Sequence, residues 1–459
     1  MNKIMFTHNE LREQYPKFRY KEYRLTIEDN QLKVQYFFEI PGLSEFSPYW
    51  KFPMAGHSLE ELQENRTFQE LIFSLGMVEL VSYWKITCSP LVEIQCGYVT
   101  EEQAEWWREL YFHGLGEFYY TNGIEPNRDT FMKIVSLGTP FTGERQPLAH
   151  AQGCLVPIGG GKDSVVSVEL MRKAGEECTC YIINPRGATT NTAVAGGFDQ
   201  AHICNVKRTL DKNMIELNKQ GYLNGHTPFS AIVAFSATIT AYLLNLKYIV
   251  LSNEASANES TVKGSTVNHQ YSKSFKFEQD FHTYEAEYVK TGTYYFSLLR
   301  PLSEFQIAKF FAECTPYHDS FRSCNVGSKE DIWCGHCAKC LFVYFILSPF
   351  IEQERLKEIF GADMLNDASM TEIMEQLVGV ADEKPFECVG SRDEVNTAIC
   401  LTIHALEAEG KELPLLFKQY KQLAQYKQYK DAANPFFTYY NEENLLPEAF
   451  AELVKKHCC

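Results

Sequence analysis

The sequence predicts an α/β protein whose centre is a doubly wound parallel sheet, with an α+β N-terminal domain and a helical C-terminal region. Between residues 150 and 345, apolar runs of strand length alternate with helical patterns, which is typical of a parallel sheet. Residues before 145 contain alternating apolar and polar segments, and helical periodicity prevails after 346. We therefore expect three domains, at residues 1–148, 149–345 and 346–459.

Composition narrows the classes of protein that this chain can belong to. Its 459 residues are 45% hydrophobic, enough to fill the cores of two or three domains. The net charge of −16 and the lack of a basic cluster disfavour nucleic-acid binding. The N-terminus does not resemble a secretory signal, and the apolar stretch Leu341–Ile351 is too short to span a bilayer. We expect a cytoplasmic protein without a membrane or nucleic-acid partner.

The N-terminal domain begins with a predicted hairpin. Glu22–Glu28 and Gln31–Phe38 alternate apolar and polar residues, and Asp29-Asn30 between them suits a tight turn. Helical periodicity follows at Leu59–Val81 and Thr100–Gly114. No residue pattern in this domain points to chemistry.

The central domain contains the patterns of a ligand-binding sheet. We predict a helix from about Pro228 to Leu244, with Thr227 as its N-cap and Pro228 at its first helical position. Ligands bind beyond the carboxyl ends of parallel strands, so the polar sequences after these strands should form a site. The predicted strands are Cys154–Ile158, Cys178–Asn184, His202–Val206 and Lys247–Ser252.

A glycine-rich loop follows the first of these strands and opens a helix. Successive glycines leave backbone N–H groups free to face an anion, and the helix adds its positive N-terminal end. It is not a Walker A loop, because Asp163 separates Lys162 from Ser164, and its glycine spacing differs from the dinucleotide fingerprint. We predict a phosphate-binding loop made of Gly159, Gly160, Gly161, Lys162, Asp163 and Ser164.

Four of the 15 cysteines form a cluster with metal-ligand spacing. Two interlocked C-x-x-C steps suit a tetrahedral structural Zn²⁺, although an iron–sulfur cluster or free thiols would also be compatible. His336 could replace one ligand. The predicted zinc ligands are Cys324, Cys334, Cys337 and Cys340. Cysteines within apolar runs are expected to be core residues, namely Cys154, Cys178, Cys180 and Cys204.

The glycine loop resembles a known phosphate-binding motif. Gly160–Ser164 is similar to the pyrophosphate loop of the ATP pyrophosphatase (PP-loop) superfamily, which has a HUP-like fold and cleaves ATP between the α- and β-phosphates. The usual loop begins with Ser, and Gly159 stands there in this chain, so one hydroxyl contact is missing. The late cysteine knuckle and the segment Arg300–Lys309 also resemble 7-cyano-7-deazaguanine synthase, an amide-forming ligase.

A closer resemblance is to the MurL family. The phrases that carry it are Gly225–Ser230, Ser252–Glu259, Asn268–Ser274 and Tyr295–Glu304. The resemblance implies an ATP-dependent epimerase of peptidoglycan precursor synthesis. Its small-molecule substrate would be a UDP-sugar dipeptide, UDP-MurNAc-L-Ala-L-Glu. Adenylation of the terminal carboxylate would let L-Glu be inverted to D-Glu, with release of AMP and pyrophosphate.

Candidate site residues follow from the loop and from this resemblance. ATP would contact the glycine loop together with Asn253 and Glu254. Mg²⁺ would be held by carboxylates such as Asp163, Glu254 and Glu259, although the last two could equally belong to a solvated loop. Lys276 is a further candidate for binding the α-phosphate or a substrate carboxylate, as are Lys273 and Arg300. The predicted catalytic set is Lys162, His269, Lys273 and Arg300, with His269 and Lys273 as candidates for proton transfer.

Three functions therefore remain open from the sequence. The epimerase is the first, and the amide-forming ligase is the second, although the large domains at both ends disfavour the ligase. The third is a non-catalytic nucleotide sensor with a zinc site, which the complete set of polar groups in the loop disfavours. An RNA-thiolating enzyme is disfavoured by the acidic charge.

Overall fold

The computed structural model of the protein describes residues 6–258, 268 and 270–459, and shows a mixed α/β fold. Contacts divide these residues into two compact units, each built from segments that are separate in sequence. Unit 1 contains the described residues up to Leu155, with Cys204–Ile249 and Tyr271–Tyr295. Unit 2 contains Val156–Ile203, the described part of Val250–Gln270, and Phe296–Cys459. The three consecutive domains remain a prediction.

The described residues include eleven β-strands and eighteen α-helices. The strands are β1 (Lys17–Glu28), β2 (Gln31–Ile40), β3 (Ser44–Phe46), β4 (Tyr49–Pro53), β5 (Leu91–Ile94), β6 (Lys133–Ser136), β7 (Cys154–Pro157), β8 (Cys178–Ile183), β9 (Ile203–Arg208), β10 (Tyr248–Leu251) and β11 (Tyr294–Ser297). The helices are α1 (His8–Gln14), α2 (Leu59–Glu64), α3 (Arg66–Trp84), α4 (Glu101–Gly114), α5 (Gly116–Thr121), α6 (Lys162–Ala174), α7 (Gly187–Ala195), α8 (Lys212–Lys219), α9 (Phe229–Leu243), α10 (Phe275–Tyr284), α11 (Glu304–Glu313), α12 (Ala338–Leu347), α13 (Gln353–Phe360), α14 (Thr371–Val378), α15 (Arg392–Ala408), α16 (Leu415–Tyr420), α17 (Ala424–Tyr429) and α18 (Glu448–Cys458).

In unit 1 the strands lie in the order β9-β4-β2-β1-β5-β6, with β3 beside β2. The predicted hairpin is confirmed: β1 and β2 are antiparallel, and Glu28 pairs with Gln31. Asp29 and Asn30 have φ angles of 54° and 59°, as a two-residue type I′ turn requires. β5 runs parallel to β1, and β6 runs parallel to β5.

The core of unit 1 contains the long helix α3, which packs against α9. α3 is apolar and buried on nearly every face, as expected for a helix without a solvent-facing stripe. The predicted cap of α9 is wrong: Pro228 is the N-cap and makes no side-chain capping bond. The hydroxyl of Thr227 instead accepts a hydrogen bond from the Lys85 ammonium at 2.7 Å. This hydroxyl therefore binds a residue that is distant in sequence and does not cap α9.

Four strands form the part of the sheet that positions the candidate site, in the order β8-β7-β10-β11. β7 and β10 are parallel, with Tyr248 opposite Cys154. The chain goes from β7 to β8 on one side, whereas β10 and β11 lie on the other side of β7, so the strand order reverses between β7 and β10. Ligands of open α/β sheets bind at such a switch point. The loops that follow β7 and β10 both belong to unit 2.

The other sequence predictions for these elements agree closely with the structure. The four predicted central strands match β7, β8, β9 and β10 to within two residues, whereas β11 was not predicted as a strand. The four cysteines expected in the core are buried. Within the described part of the chain, no helix combines the length and the apolar character that crossing a membrane requires.

Candidate functional site

The loop between β7 and α6 requires glycine at one position and leaves little room for a side chain at the next. Gly160 has a φ of +85°, and a Cβ there would lie 2.9 Å from the Cβ of Ala188. A Cβ at Gly161 would lie 3.1 Å from the Cβ of Ser323. Gly161 is the N-cap of α6 and provides no side-chain capping bond. The first backbone N–H groups of α6 therefore have no side-chain acceptor at this cap, which is the arrangement that suits an anion.

Lys162 lies at the first position of α6 and is almost completely buried. Its ammonium donates hydrogen bonds to the carboxylates of Asp163 and Glu304. Burial alone would lower the pKa of Lys162, but these two carboxylates raise it well above its ordinary value. Lys162 therefore carries a fixed positive charge beside the loop. Ser164, predicted as a phosphate donor, donates its hydroxyl to the Gly161 carbonyl at 2.9 Å.

Lys162, Asp163, Glu304 and Glu394 are linked by hydrogen bonds and form one charge cluster. Sequence analysis assigned no role to Glu304 or Glu394. Glu304 is the first residue of α11, directly after the Ser303 N-cap. Its backbone N–H donates to Glu394 at 2.7 Å. Burial raises the pKa of both carboxyl groups; for Glu304, the Lys162 ammonium lowers the pKa and the charges of Asp163 and Glu254 raise it. The capping-box pattern that begins at Ser303 could have placed Glu304 at a helix start.

Two more predicted residues, Glu254 after β10 and Arg300 after β11, are bonded to each other. Glu254 is only 4% exposed, so the alternative of a solvated loop is wrong for this residue. Arg300 is fully buried, and its guanidinium donates to the backbone carbonyl of Glu254 at 2.7 Å. Asn253 donates its side-chain amide to the Ser297 hydroxyl at 3.0 Å. The predicted residues Lys162, Asp163, Glu254 and Arg300 thus all lie in unit 2. Lys162 bonds to Asp163 and Glu304, and the charge of Glu254 acts on Glu304.

The remaining predicted residues are not placed in this cluster. His269 and Glu259 lie outside the described residues. Lys273 and Lys276 belong to unit 1. The Lys276 ammonium is paired with Asp280 on the same helix at 2.5 Å.

The four predicted metal ligands come together as a compact group in unit 2. All four sulfur atoms lie within 4.8 Å of one another, and the Cys324–Cys337, Cys334–Cys340 and Cys337–Cys340 sulfur distances are 3.9, 3.8 and 3.5 Å. Ligands about 2.3 Å from a tetrahedral zinc would be separated by about 3.8 Å. His336 Nδ1 lies 2.8 Å from the Cys334 carbonyl. The cysteine cluster can therefore hold a metal ion.

The fold and these two features define a class of protein. It is an α/β protein with a glycine-rich loop suited to an anion at the switch point of its parallel strands and a four-cysteine group suited to a metal ion. The chain belongs to the MurL family: the model of the MurL N-terminal domain matches residues 9–298, and that of the MurL C-terminal domain matches residues 320–434.

Three relatives that share one name align with most of the chain. A UDP-N-acetyl-alpha-D-muramoyl-L-alanyl-L-glutamate epimerase from Xanthomonas oryzae pv. oryzae is 38% identical over 355 residues, or 75% of this chain and 76% of the relative. Proteins of that name from a Micromonospora species and from Salinispora tropica are 33% and 36% identical, over 76% and 64% of this chain and 78% and 64% of their own lengths. No solved structure matches the chain significantly.

Proposed function

We propose that this protein is an ATP-dependent epimerase that converts the terminal L-Glu of UDP-MurNAc-L-Ala-L-Glu to D-Glu. The observation that carries the proposal is the name shared by relatives that are 33–38% identical over most of the chain. Because these relatives are named epimerases, the ligase alternative is not favoured. The reaction belongs to peptidoglycan precursor synthesis and, since it consumes ATP and a UDP-linked precursor, we place it in the cytoplasm.

The chemistry explains why an epimerase would need a nucleotide-binding loop. A free carboxylate opposes removal of the neighbouring α-proton, because the carbanion would form beside a negative charge. Adenylation of that carboxylate replaces the negative charge by an electron-withdrawing acyl phosphate and releases pyrophosphate. The α-proton can then be removed from one face and returned to the other. Hydrolysis of the mixed anhydride gives the D-Glu product and AMP.

The residues of unit 2 have the chemical groups that the adenylation step would need. The Gly159–Gly161 loop and the start of α6 would bind the phosphates as in the PP-loop superfamily, with Lys162 as a fixed cation. Mg²⁺, when bound through oxygen ligands such as the carboxylates of Asp163 and Glu254, would neutralise phosphate charge. Arg300 would provide a planar donor for an α-phosphate or a carboxylate.

The cysteine cluster would hold a structural Zn²⁺ ion. Four thiolates fill a tetrahedral coordination shell and leave no position for substrate. Three of the sulfur–sulfur distances are 3.5–3.9 Å, which fits such a shell. Cys324, Cys334, Cys337 and Cys340 would therefore stabilise the fold around the loop.

Deuterium incorporation tests the epimerase directly. The protein is incubated in D₂O with ATP, Mg²⁺ and UDP-MurNAc-L-Ala-L-Glu, and the product is analysed by mass spectrometry. We expect deuterium at the glutamate α-carbon but not at the alanine α-carbon, whose carboxyl group is already in a peptide bond. Omission of ATP should abolish the exchange. Active ATP turnover without deuterium at glutamate would contradict the epimerase proposal.

The nucleotide products test the adenylation step separately. Chromatography should show AMP and pyrophosphate, because the loop resembles that of enzymes that cleave between the α- and β-phosphates. Lys162→Ala should raise the activation free energy by at least about 2 kcal/mol, as loss of one preorganised electrostatic donor does elsewhere. ADP and phosphate as the only products would rule out this superfamily mechanism.

A further inference from the structure

The segment Arg322-Ser323 lies directly against the glycine loop. The backbone N–H of Arg322 donates to the Gly160 carbonyl at 2.6 Å. A Cβ at Gly161 would lie only 3.1 Å from that of Ser323. These contacts lie within unit 2 and join two segments about 160 residues apart.

Both residues contain a buried polar atom that has no hydrogen-bond partner in the part of the chain that the structure describes. These atoms are Nε of Arg322 and the hydroxyl oxygen of Ser323. The Nη1 nitrogen of Arg322 donates to the carbonyl of the neighbouring Phe321 at 2.7 Å. Because at least about 90% of buried polar groups in proteins are bonded, two adjacent unsatisfied groups point to an absent ligand.

The chemistry of these groups indicates an anion. A guanidinium N–H and a hydroxyl can both donate to an oxyanion, and the adjacent helix start presents further N–H donors. The Arg322 side chain is half-buried, so its guanidinium charge is partly shielded from water, which strengthens its attraction for an anion.

The cysteine cluster holds this segment in place. Ser323 is followed immediately by Cys324, whose sulfur accepts hydrogen bonds from the backbone N–H groups of Gly327 and Cys334 at 3.1 and 3.4 Å. A metal ion bound by the four cysteines would therefore fix the backbone one residue away from Ser323 and two from Arg322.

We propose that Arg322 and Ser323 bind the phosphates of the nucleotide at the Gly159–Gly161 loop, and that the metal-bound cysteine cluster positions them there. This proposal rests on the proposed function, because it assigns two additional binding residues to the same site. It also gives the metal site a role in substrate binding beyond general stability.

Binding of ATP with Mg²⁺ to the full-length, metal-loaded chain tests the proposal by calorimetry. Arg322→Ala should weaken binding about 10- to 100-fold, as loss of a charge-assisted hydrogen bond does. Ser323→Ala should weaken it about 2- to 10-fold, and Arg322→Lys should recover part of the loss. The matched control is Arg355→Ala, because Arg355 is paired with Asp319 and Glu358 at the surface.

Metal content and unfolding of each variant are measured in parallel, because Arg322 is close to a metal ligand. If Arg322→Ala loses metal, Arg322→Lys and Ser323→Ala are compared with wild type instead. Wild-type affinity for ATP in Arg322→Ala and Ser323→Ala that retain their metal would overturn the inference and leave the proposed function intact. Failure of wild type to bind ATP would overturn both.

Discussion

Glu304→Gln tests the charge cluster around the glycine loop, because it removes a charge with little change in shape. Glu304 and Lys162 are both nearly fully buried and bonded to each other. The substitution leaves the Lys162 ammonium with one carboxylate partner, Asp163, whose side chain is 29% exposed. Above a pH of about 8, where the Glu304 carboxyl group is ionised, the substitution therefore removes the better desolvated of two counter-charges, so unfolding is compared in that pH range.

The magnitude follows from the partners that remain. Removal of the sole partner of a buried ion typically costs about 3–5 kcal/mol. Because Asp163 still neutralises Lys162, we expect Glu304→Gln to lower the free energy of unfolding by about 2 kcal/mol. In a double-mutant cycle that combines Glu304→Gln with Lys162→Met, the two changes in the free energy of unfolding should be non-additive by about 1–2 kcal/mol.

Urea unfolding followed by circular dichroism measures the total effect. Hydrogen exchange of peptides from α6 and α11 measures the local effect even if the two units unfold separately. Glu313→Gln is the matched control, since Glu313 is exposed at the end of the same helix. A Glu304→Gln protein as stable as this control, or strict additivity with Lys162→Met, would refute the buried ion pair.

Three further predictions concern other parts of the molecule. The purified protein should contain one zinc ion per chain. Cys337→Ser should lose this ion, and its free energy of unfolding should fall by several kcal/mol. Elemental analysis that finds iron, or no metal in a stable protein, would contradict this prediction. Gly160→Ala should destabilise the protein by about 1–3 kcal/mol because of its positive φ and the close contact with Ala188, whereas Gly159→Ala, with no atom in contact range of its Cβ, should not; equal melting temperatures would disprove the difference. Burial lowers the pKa of Lys85 from 10.5 to about 8, so between these pH values the unfolded chain binds more protons. The free energy of unfolding of wild type relative to Lys85→Met should therefore rise by up to about 3 kcal/mol from pH 7.5 to 10.5. Denaturant titrations that show the same pH dependence for both proteins would exclude the lowered pKa of Lys85.

Local patterns in the sequence were sufficient for the backbone around the site. Strand periodicity and turn residues predicted the first hairpin, and the apolar run before Gly159 predicted β7. Two C-x-x-C steps predicted the metal cluster, because ligands close in sequence are brought together by a short turn. These features depend on neighbouring residues, which a single sequence displays directly.

Sequence reasoning failed where a polar group had a choice of partners. Threonine is a residue type favoured at helix N-caps, but the hydroxyl of Thr227 binds Lys85, more than 140 positions away. Glu254 looked as compatible with a solvated loop as with a site, and only the fold shows that it is buried. Residue propensity describes the contacts that a residue can make with its sequence neighbours, whereas tertiary packing decides which partner lies within bonding distance.

By itself, the sequence determined the α/β class of the fold, the glycine-rich loop, the four-cysteine group and the resemblance to MurL. The tertiary structure alone decided that Lys162 meets Glu304, that Glu394 holds the start of α11, and that Arg322 and Ser323 lie against the loop. These partners are 90 to about 160 residues apart, so no local periodicity encodes their contact. They meet because strand order and helix packing bring distant segments to one switch point, where burial makes each unpaired charge costly.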